Sequence, residues 1–328
     1  MMTIEGMLFD VYLIGDEARL WILTHEGPVL LRHAYLPKVY LEGKEAALQK
    51  AVVFFQKQHL VRGVRWVEKT EFWSGRSVRV LEIEVTGTTA YSKLSQLLPD
   101  YDGPLRIYNA DLSLQQLYLY ETNLFPCGMV EADVEGGEIK SICSIESPWD
   151  DFQLPHLNVL GLEALENSVS HLSEIQITWE GREYSIEPEG PDEVVQEVNA
   201  FLDRADPDLI LTTHGDAVLF PWLLRSERLA KKPLRLDRDS EAPRRSLRTE
   251  GRTYFSYGRV LYSPPRYPLY GRWHIDRETS FMYREGDLEG IIEVARLSKV
   301  PVQTSARSSP GTAISSMQLD EAFNRNVL

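Results

Sequence analysis

Between residues 191 and 216 the chain reads as a helix laid on a buried strand. Pro191 stands at a first helical position, Asp192 and Glu193 occupy the first turn, and Val194, Val195, Val198, Phe201 and Leu202 share one face. After Asp206-Pro207 the run Asp208-Leu-Ile-Leu-Thr-Thr213 is short and apolar, as in a strand covered on both faces, and Gly215 turns the chain into a further helix. Strands around Leu157–Gly161, Ser173–Trp179 and Glu183–Ile186 precede this unit. A proline-interrupted strand region, Tyr254–Asp276, follows it. Strands alternating with helices in this way predict a mixed sheet under helices.

The front of the chain has a different rhythm. Gly6–Gly15, Ala18–His25 and Pro28–Tyr40 are rich in Val, Leu, Ile and Tyr between Gly-Asp and Glu-Gly turn signals, which predicts a small antiparallel sheet. Lys44–Gln58 follows as a helix with Leu48, Ala51, Val52 and Phe55 on one side. Ser77–Thr86 is then a strand, and Thr88–Leu98 a second helix. At 328 residues the chain exceeds a single core. The expected division is an α+β domain over 1–104, an α/β mixed-sheet domain over 105–284, and a helical segment over 285–328 in which Pro301 stops the helix Glu285–Lys299.

Charge narrows what the chain can touch. The net charge is −14, with the excess acid concentrated in residues 1–224, so a polyanion would be repelled by much of the surface. Residues 225–252 reverse the sign with Arg225, Arg228, Lys231, Lys232, Arg235, Arg238, Arg244, Arg245, Arg248 and Arg252 against five acids. This stretch is either a solvated loop or a phosphate-contact region. Tyr254, Phe255, Tyr257, Tyr262, Tyr267 and Tyr270, interleaved with Arg252, Arg259, Arg266 and Arg272, offer stacking surfaces for single-stranded bases or else simply pack a hairpin. Cys127 and Cys143 are too few for a disulfide framework or a four-cysteine zinc site and read as core thiols. No apolar run approaches the ~18 residues of a membrane span, and the start lacks a secretory pattern, so the expected address is cytoplasmic.

Generic catalytic motifs are absent: there is no P-loop, G-x-G-x-x-G, H-E-x-x-H or G-x-S-x-G. His214 and His274 read as structural, and Glu163 and Glu166 as solvated carboxylates.

Several segments nonetheless resemble family B DNA polymerases. Arg106-Ile-Tyr-Asn-Ala-Asp111 through Pro126 resembles the link between the amino-terminal and exonuclease domains, and Asp206–Asp216 is similar to the strand carrying the second exonuclease motif. Pro233–Asp239 and Gly271–Asp276 resemble the stretches that follow it. Glu293–Gly311, with Arg307-Ser308-Ser309, looks like the approach to the polymerase palm, and Thr312–Gln318 most resembles a divergent prokaryotic lineage with inactivated catalytic motifs. The resemblance implies an RNase H-like (DnaQ-like 3′–5′ exonuclease) mixed-sheet domain behind the N-terminal α+β domain, and a setting in DNA replication or repair.

In that family four carboxylates from three motifs hold two divalent ions ~4 Å apart. The resemblance places the first motif best on Gly161-Leu162-Glu163, so Gly161 replaces one acid and Glu163 keeps the other; a register shifted by two puts Glu163 first and Leu165 second and also loses an acid, and the second-motif acid falls on Leu219. Neither replacement can ligate a hard cation. The third motif has an echo in Tyr283-Arg-Glu-Gly-Asp287, more simply an ordinary helix start, and Asp216 and Glu166 are possible substitute ligands. The expectation is a chain without catalytic or metal-binding residues of its own, Mg²⁺ belonging only to an intact polymerase. The palm aspartates that the family uses for nucleotide transfer fall after the last residue, Leu328, so palm, fingers and thumb are expected either from a longer chain or from a second polypeptide. DNA, as primer-template or single strand, is the expected partner, contacted by Arg235, Arg238, Arg244, Arg245, Arg248 and Arg307 with Ser308 and Ser309. Two other readings are open: an active nuclease with rearranged ligands, and a protein-interaction subunit using its acidic surface.

Overall fold

The computed structural model describes residues 1–97, 105–165, 174–243, 251–256, 259–263 and 265–328. The chain packs as two compact units, Met1–Asp150 with Val294–Pro301 and Pro310–Leu328, and Asp151–Glu293 with Val302–Ser309.

The first unit begins with strands β1 (Met2–Ile14), β2 (Glu17–Thr24), β3 (Gly27–Ala34) and β4 (Lys38–Gly43). Then come helix α1 (Glu45–Phe55), strands β5 (Val61–Thr70) and β6 (Ser77–Val85), helix α2 (Gly87–Leu97), strand β7 (Leu105–Tyr108), helix α3 (Leu114–Thr122), and strands β8 (Met129–Glu135) and β9 (Glu138–Ser144). The apolar run read as one strand over Pro28–Tyr40 breaks at Pro37, which cannot donate to a ladder, and its halves enter different sheets. β1, β2, β3, β9 and β8 close a barrel around Leu8, Val11, Leu20, Ile22 and Val130, so residues 129–144 pack with the front of the chain. β5, β6, β4 and β7 form a second sheet whose apolar side, Leu41, Leu81 and Ile83, meets Leu48, Ala51 and Phe55 of α1 and Leu94 of α2. Glu82, on the polar side of the β6 alternation, is 6% exposed and accepts from Arg65 Nε at 2.6 Å. Cys127 is buried in this unit, and Cys143 is exposed on β9 rather than in the core.

The second unit is built on β10 (Val159–Ala164), β11 (Ile175–Trp179), β12 (Arg182–Ile186), helix α4 (Pro191–Ala205), β13 (Leu209–Thr213), helix α5 (Phe220–Ala230), the antiparallel hairpin β14 (Arg252–Ser256) and β15 (Arg259–Ser263), and β16 (Trp273–Asp276). Its sheet runs in the order β12-β11-β10-β13-β16. β10, β13 and β16 are mutually parallel, while β11 runs against β10 and β12 against β11. Val194, Val195, Val198 and Leu202 of α4 and Leu219, Phe220 and Leu223 at the start of α5 cover Leu160, Leu162, Ile175, Ile177 and Ile210 on one side. This is the helix-on-strand packing that the 191–216 pattern predicts. Residues Gly161 and Glu163, alternating with Leu160 and Leu162 along β10, face the other way.

Three helices complete the chain: α6 (Phe281–Ser298), α7 (Val302–Ser305) and α8 (Pro310–Asn324). α6 departs from helical geometry at Gly286 and Asp287, the latter with φ +51°. Among the described residues no helix is long and apolar enough to cross a membrane.

Candidate nuclease-like site

Parallel strands bring Glu163 of β10 beside Thr213 of β13, and Arg277, one residue past β16, reaches Glu163. The Thr213 hydroxyl donates to Glu163 Oε1 at 2.9 Å, and Arg277 Nη1 donates to the same oxygen at 3.0 Å. A guanidinium thus sits on the carboxylate that the first-motif alignment retains. Gly161 lies opposite Thr178 on β11, and a Cβ built at 161 would come 3.2 Å from Thr178 Cβ, a tight approach that Thr178 would have to relieve by shifting slightly. A cavity of about 540 Å³ opens beside Gly161, lined by Asn158, Thr178, Trp179, Asp208 and Arg277.

The second-motif segment leaves β13 through His214, whose φ is +58°, into a widened π-type turn over Gly215–Leu219. Gly215 is required here because a Cβ would meet Thr212 Oγ1 at 1.9 Å and His274 Nε2 at 2.8 Å. The turn drives Leu219, 0% exposed, into the apolar core and points Asp216, equally buried, at polar partners. Arg307 Nε and Nη2 donate to Asp216 Oδ2 and Oδ1 at 2.8 and 3.1 Å, and Tyr267 N and the Thr279 hydroxyl donate to the same carboxylate. Burial alone would raise the Asp216 carboxyl, but the Arg307 guanidinium and the hydrogen bonds from Arg307 and Tyr267 N outweigh it and hold the group below the ordinary carboxylate range. Asp276 Oδ2 accepts from Asp216 N at 2.9 Å, and burial pushes the Asp276 carboxyl up.

His274 completes this buried network. Its Nδ1 lies 2.8 Å from the Tyr267 carbonyl and 3.0 Å from Arg307 Nη2, and its Nε2 lies 2.9 Å from Thr212 Oγ1; a carbonyl only accepts, so the Tyr267 contact calls for the proton on Nδ1 and leaves Nε2 to accept from the Thr212 hydroxyl. Burial depresses its pKa to about 4, so the ring is neutral, stacked on Phe220 at 4.1 Å between centroids. His274 is structural in this arrangement.

The remaining candidate residues separate into distinct environments. Tyr283 is half-buried and Asp287 exposed at the break in α6, while Glu166 lies outside the described residues. Arg235 is 56% exposed and pairs with Asp203. Arg238 is not a surface cation: 7% exposed, it donates to Asp206, Asp208 and the carbonyls of Asp206, Pro207 and Gly271. Arg272 is similarly buried and shares Asp206 with it. Arg307, expected near template, is 5% exposed and spent on Asp216. Ser308 donates to the Thr304 carbonyl and Ser309 is exposed. Arg244, Arg245 and Arg248 lie outside the described residues, as does Tyr257. Tyr267 and Tyr270 are buried, Tyr267 stacking on Phe220 at 5.4 Å, and therefore pack the unit rather than present faces to bases.

Sequence reasoning missed Arg277, Thr213 and Asp276. Their signal was positional: all three lie at or just past the carboxyl ends of parallel strands, where open α/β sheets place their sites. Among the described residues no group of three or more His, Cys, Asp or Glu side chains is placed to hold a metal ion. A carboxylate already paired with a guanidinium is a poor match for a pair of hard cations that demand oxygen ligands, so the donor set among the described residues does not fit a two-metal centre.

The solved family B DNA polymerase from the hyperthermophilic archaeon Pyrobaculum calidifontis is similar to this chain with a TM-score of 0.74 over 99% of its residues, at 19% identity. The chain spans about half of that polymerase, 51% of its length. No family model and no curated protein matches the sequence.

Proposed function

We propose that this chain is a DNA-handling scaffold, the N-terminal and exonuclease-like portion of a protein related to family B DNA polymerases, without 3′–5′ exonuclease activity. The second unit is read as an RNase H-like sheet. Its order, with three parallel strands and β11 antiparallel beside β10, supports that reading. The observation that carries the loss of nuclease chemistry is the Glu163–Arg277 contact at 3.0 Å, reinforced by Gly161 under Thr178 and Leu219 in the core. A bound divalent pair would supply a metal-activated hydroxide and polarise the scissile phosphate. Here Glu163, the carboxylate that the resemblance retains, is instead in a partly exposed ion pair with Arg277.

Phosphate contacts in this reading come from Arg235 together with Arg244, Arg245 and Arg248. Such contacts are sequence-independent and weaken as counterions are added. Palm, fingers and thumb, in the same or a second polypeptide, are the protein partners it calls for. The divergent, inactivated lineage is the branch to which the 312–318 segment points.

The test is binding of a primer-template labelled at its 3′ end across a salt series with Mg²⁺ present. Salt-dependent binding with an intact 3′ end is the expected result. Shortening of the labelled end overturns the reading of Gly161 and Leu219, and the absence of binding at low salt overturns the DNA-handling role.

A further inference from the structure

The acidic front of the chain contains a basic stretch. Residues 44–79 hold eight Lys and Arg against three Glu, and they lead into and through the β5–β6 hairpin. At the hairpin's tip Phe72 and Trp73 are 65% and 86% exposed, their rings edge to face with centroids 5.0 Å apart. An edge-to-face pair leaves an aromatic face open to a third ring.

The tip is held in one shape by its own hydrogen bonds. Glu71 Oε1 and Oε2 accept from the backbone N–H groups of Trp73 and Ser74 at 3.1 and 2.7 Å. Gly75 N donates to the Glu71 carbonyl and Glu71 N to the Arg76 carbonyl, both at 2.9 Å, while Gly75 takes φ +64°. Bonds from Ser74 and Trp73 hold the Glu71 carboxyl below its ordinary range, as expected of a carboxylate that organises a turn. An ordered tip presents its aromatics without the entropy of first fixing the loop.

Arg62, Arg65, Arg76 and Arg79 are exposed on the two strands and the turn between them. Arg65 pairs with Glu82, and the Arg79 guanidinium lies over the Trp66 ring at 4.4 Å. Charge on this edge strand also blunts strand pairing with other chains. That role does not account for a tryptophan 86% in solvent at the tip.

Resting on the DNA-handling reading above, we propose that the β5–β6 hairpin is a binding site for single-stranded nucleic acid, with unpaired bases stacking on Trp73 and Phe72 and phosphates reaching Arg76 and Arg79. The combination of aromatic faces with surrounding cations is what a base and its phosphate require together. An apolar protein partner would not call for the arginines.

The test is fluorescence anisotropy of a labelled oligo-dT with the full 328-residue chain and its Trp73→Ala, Trp73→Phe and Arg76→Ala/Arg79→Ala variants. Trp73→Ala is expected to weaken oligo-dT binding about tenfold, with Trp73→Phe recovering most of the loss, because stacking needs a π face rather than an indole. The double arginine variant is expected to lower the salt slope by about 1.4, the contribution of two single-strand phosphate contacts. Thermal midpoints of the Trp73 variants should equal the parent's, since the side chain supports no core. Unchanged oligo-dT affinity in Trp73→Ala, with Arg235→Glu weakening binding, overturns the hairpin site and leaves the DNA-handling reading standing. No oligo-dT binding by the parent at low salt overturns the hairpin site, and the DNA-handling reading falls with it only if the primer-template also fails to bind.

Discussion

Arg307 grips Asp216 through two guanidinium nitrogens, at 2.8 and 3.1 Å, with the side chains 5% and 0% exposed. The residue that resembles a DNA-proximal arginine in sequence is therefore a fastener inside the second unit, tying α7's end to the turn after β13. Removing one partner of a buried pair leaves the other charge uncompensated. Arg307→Ala is expected to cost about 3–5 kcal/mol of stability by urea unfolding, with little change in the salt slope of DNA binding. A large loss of DNA affinity at unchanged stability would return Arg307 to the interface.

Gly161→Asp restores the missing first-motif acid in name only. The new side chain meets Thr178, the retained Glu163 is covered by Arg277, and the second-motif position is apolar. The variant is expected to release no nucleotides from a 3′-labelled strand with Mg²⁺ or Mn²⁺, and to lose about 1–3 kcal/mol through overpacking. Metal-dependent shortening by this single variant would show that the other ligands are present after all.

How much of this was legible beforehand varied with the range of the interactions concerned. The 191–216 helix and strand were readable because local periodicity and burial agree there: α4 and β13 occupy Pro191–Ala205 and Leu209–Thr213. A front domain ending at 104 was the natural reading of a local pattern. The first unit instead runs to Asp150 because β8 pairs with β1 from Met2↔Val134 to Met7↔Met129, a contact more than 120 residues apart that no window contains. Gly161, Glu163 and Leu219 could be singled out by motif, but the guanidinium on Glu163 could not, since Arg277 is distant in sequence and enters through strand order. Arg238 and Arg272 looked like surface charge because composition cannot show that Asp206 and Asp208 lie beneath them.

The two cysteines differ enough to be told apart chemically. Cys127 is buried and its thiol is pushed up to about 12 by burial, whereas Cys143 is exposed on β9. One equivalent of thiol is expected to react with a disulfide reagent in the native protein and two after unfolding. Two equivalents reacting natively at the same rate would contradict the packing around Cys127.

His274 gives the second unit an acid sensitivity whose sign can be worked out. Its folded-state pKa, about 4, lies below the ordinary 6.5, so between these values the unfolded chain binds the proton and the folded chain does not. Stability therefore rises with pH across that window and falls as pH drops from 6.5 towards 4, by about 3 kcal/mol in all. Asp216, held below its ordinary value, contributes stability that is lost only at lower pH still. Asp276, raised by burial, acts in the opposite direction, losing stability as pH rises through its folded value. Urea midpoints at pH 7, 6, 5 and 4.5 are expected to fall in that order, and His274→Gln, which keeps a polar side chain but does not titrate, should flatten the fall. An equal pH dependence in the variant would mean that the ring accepts its proton without leaving Thr212 and Tyr267, and that the acid sensitivity of this unit lies elsewhere.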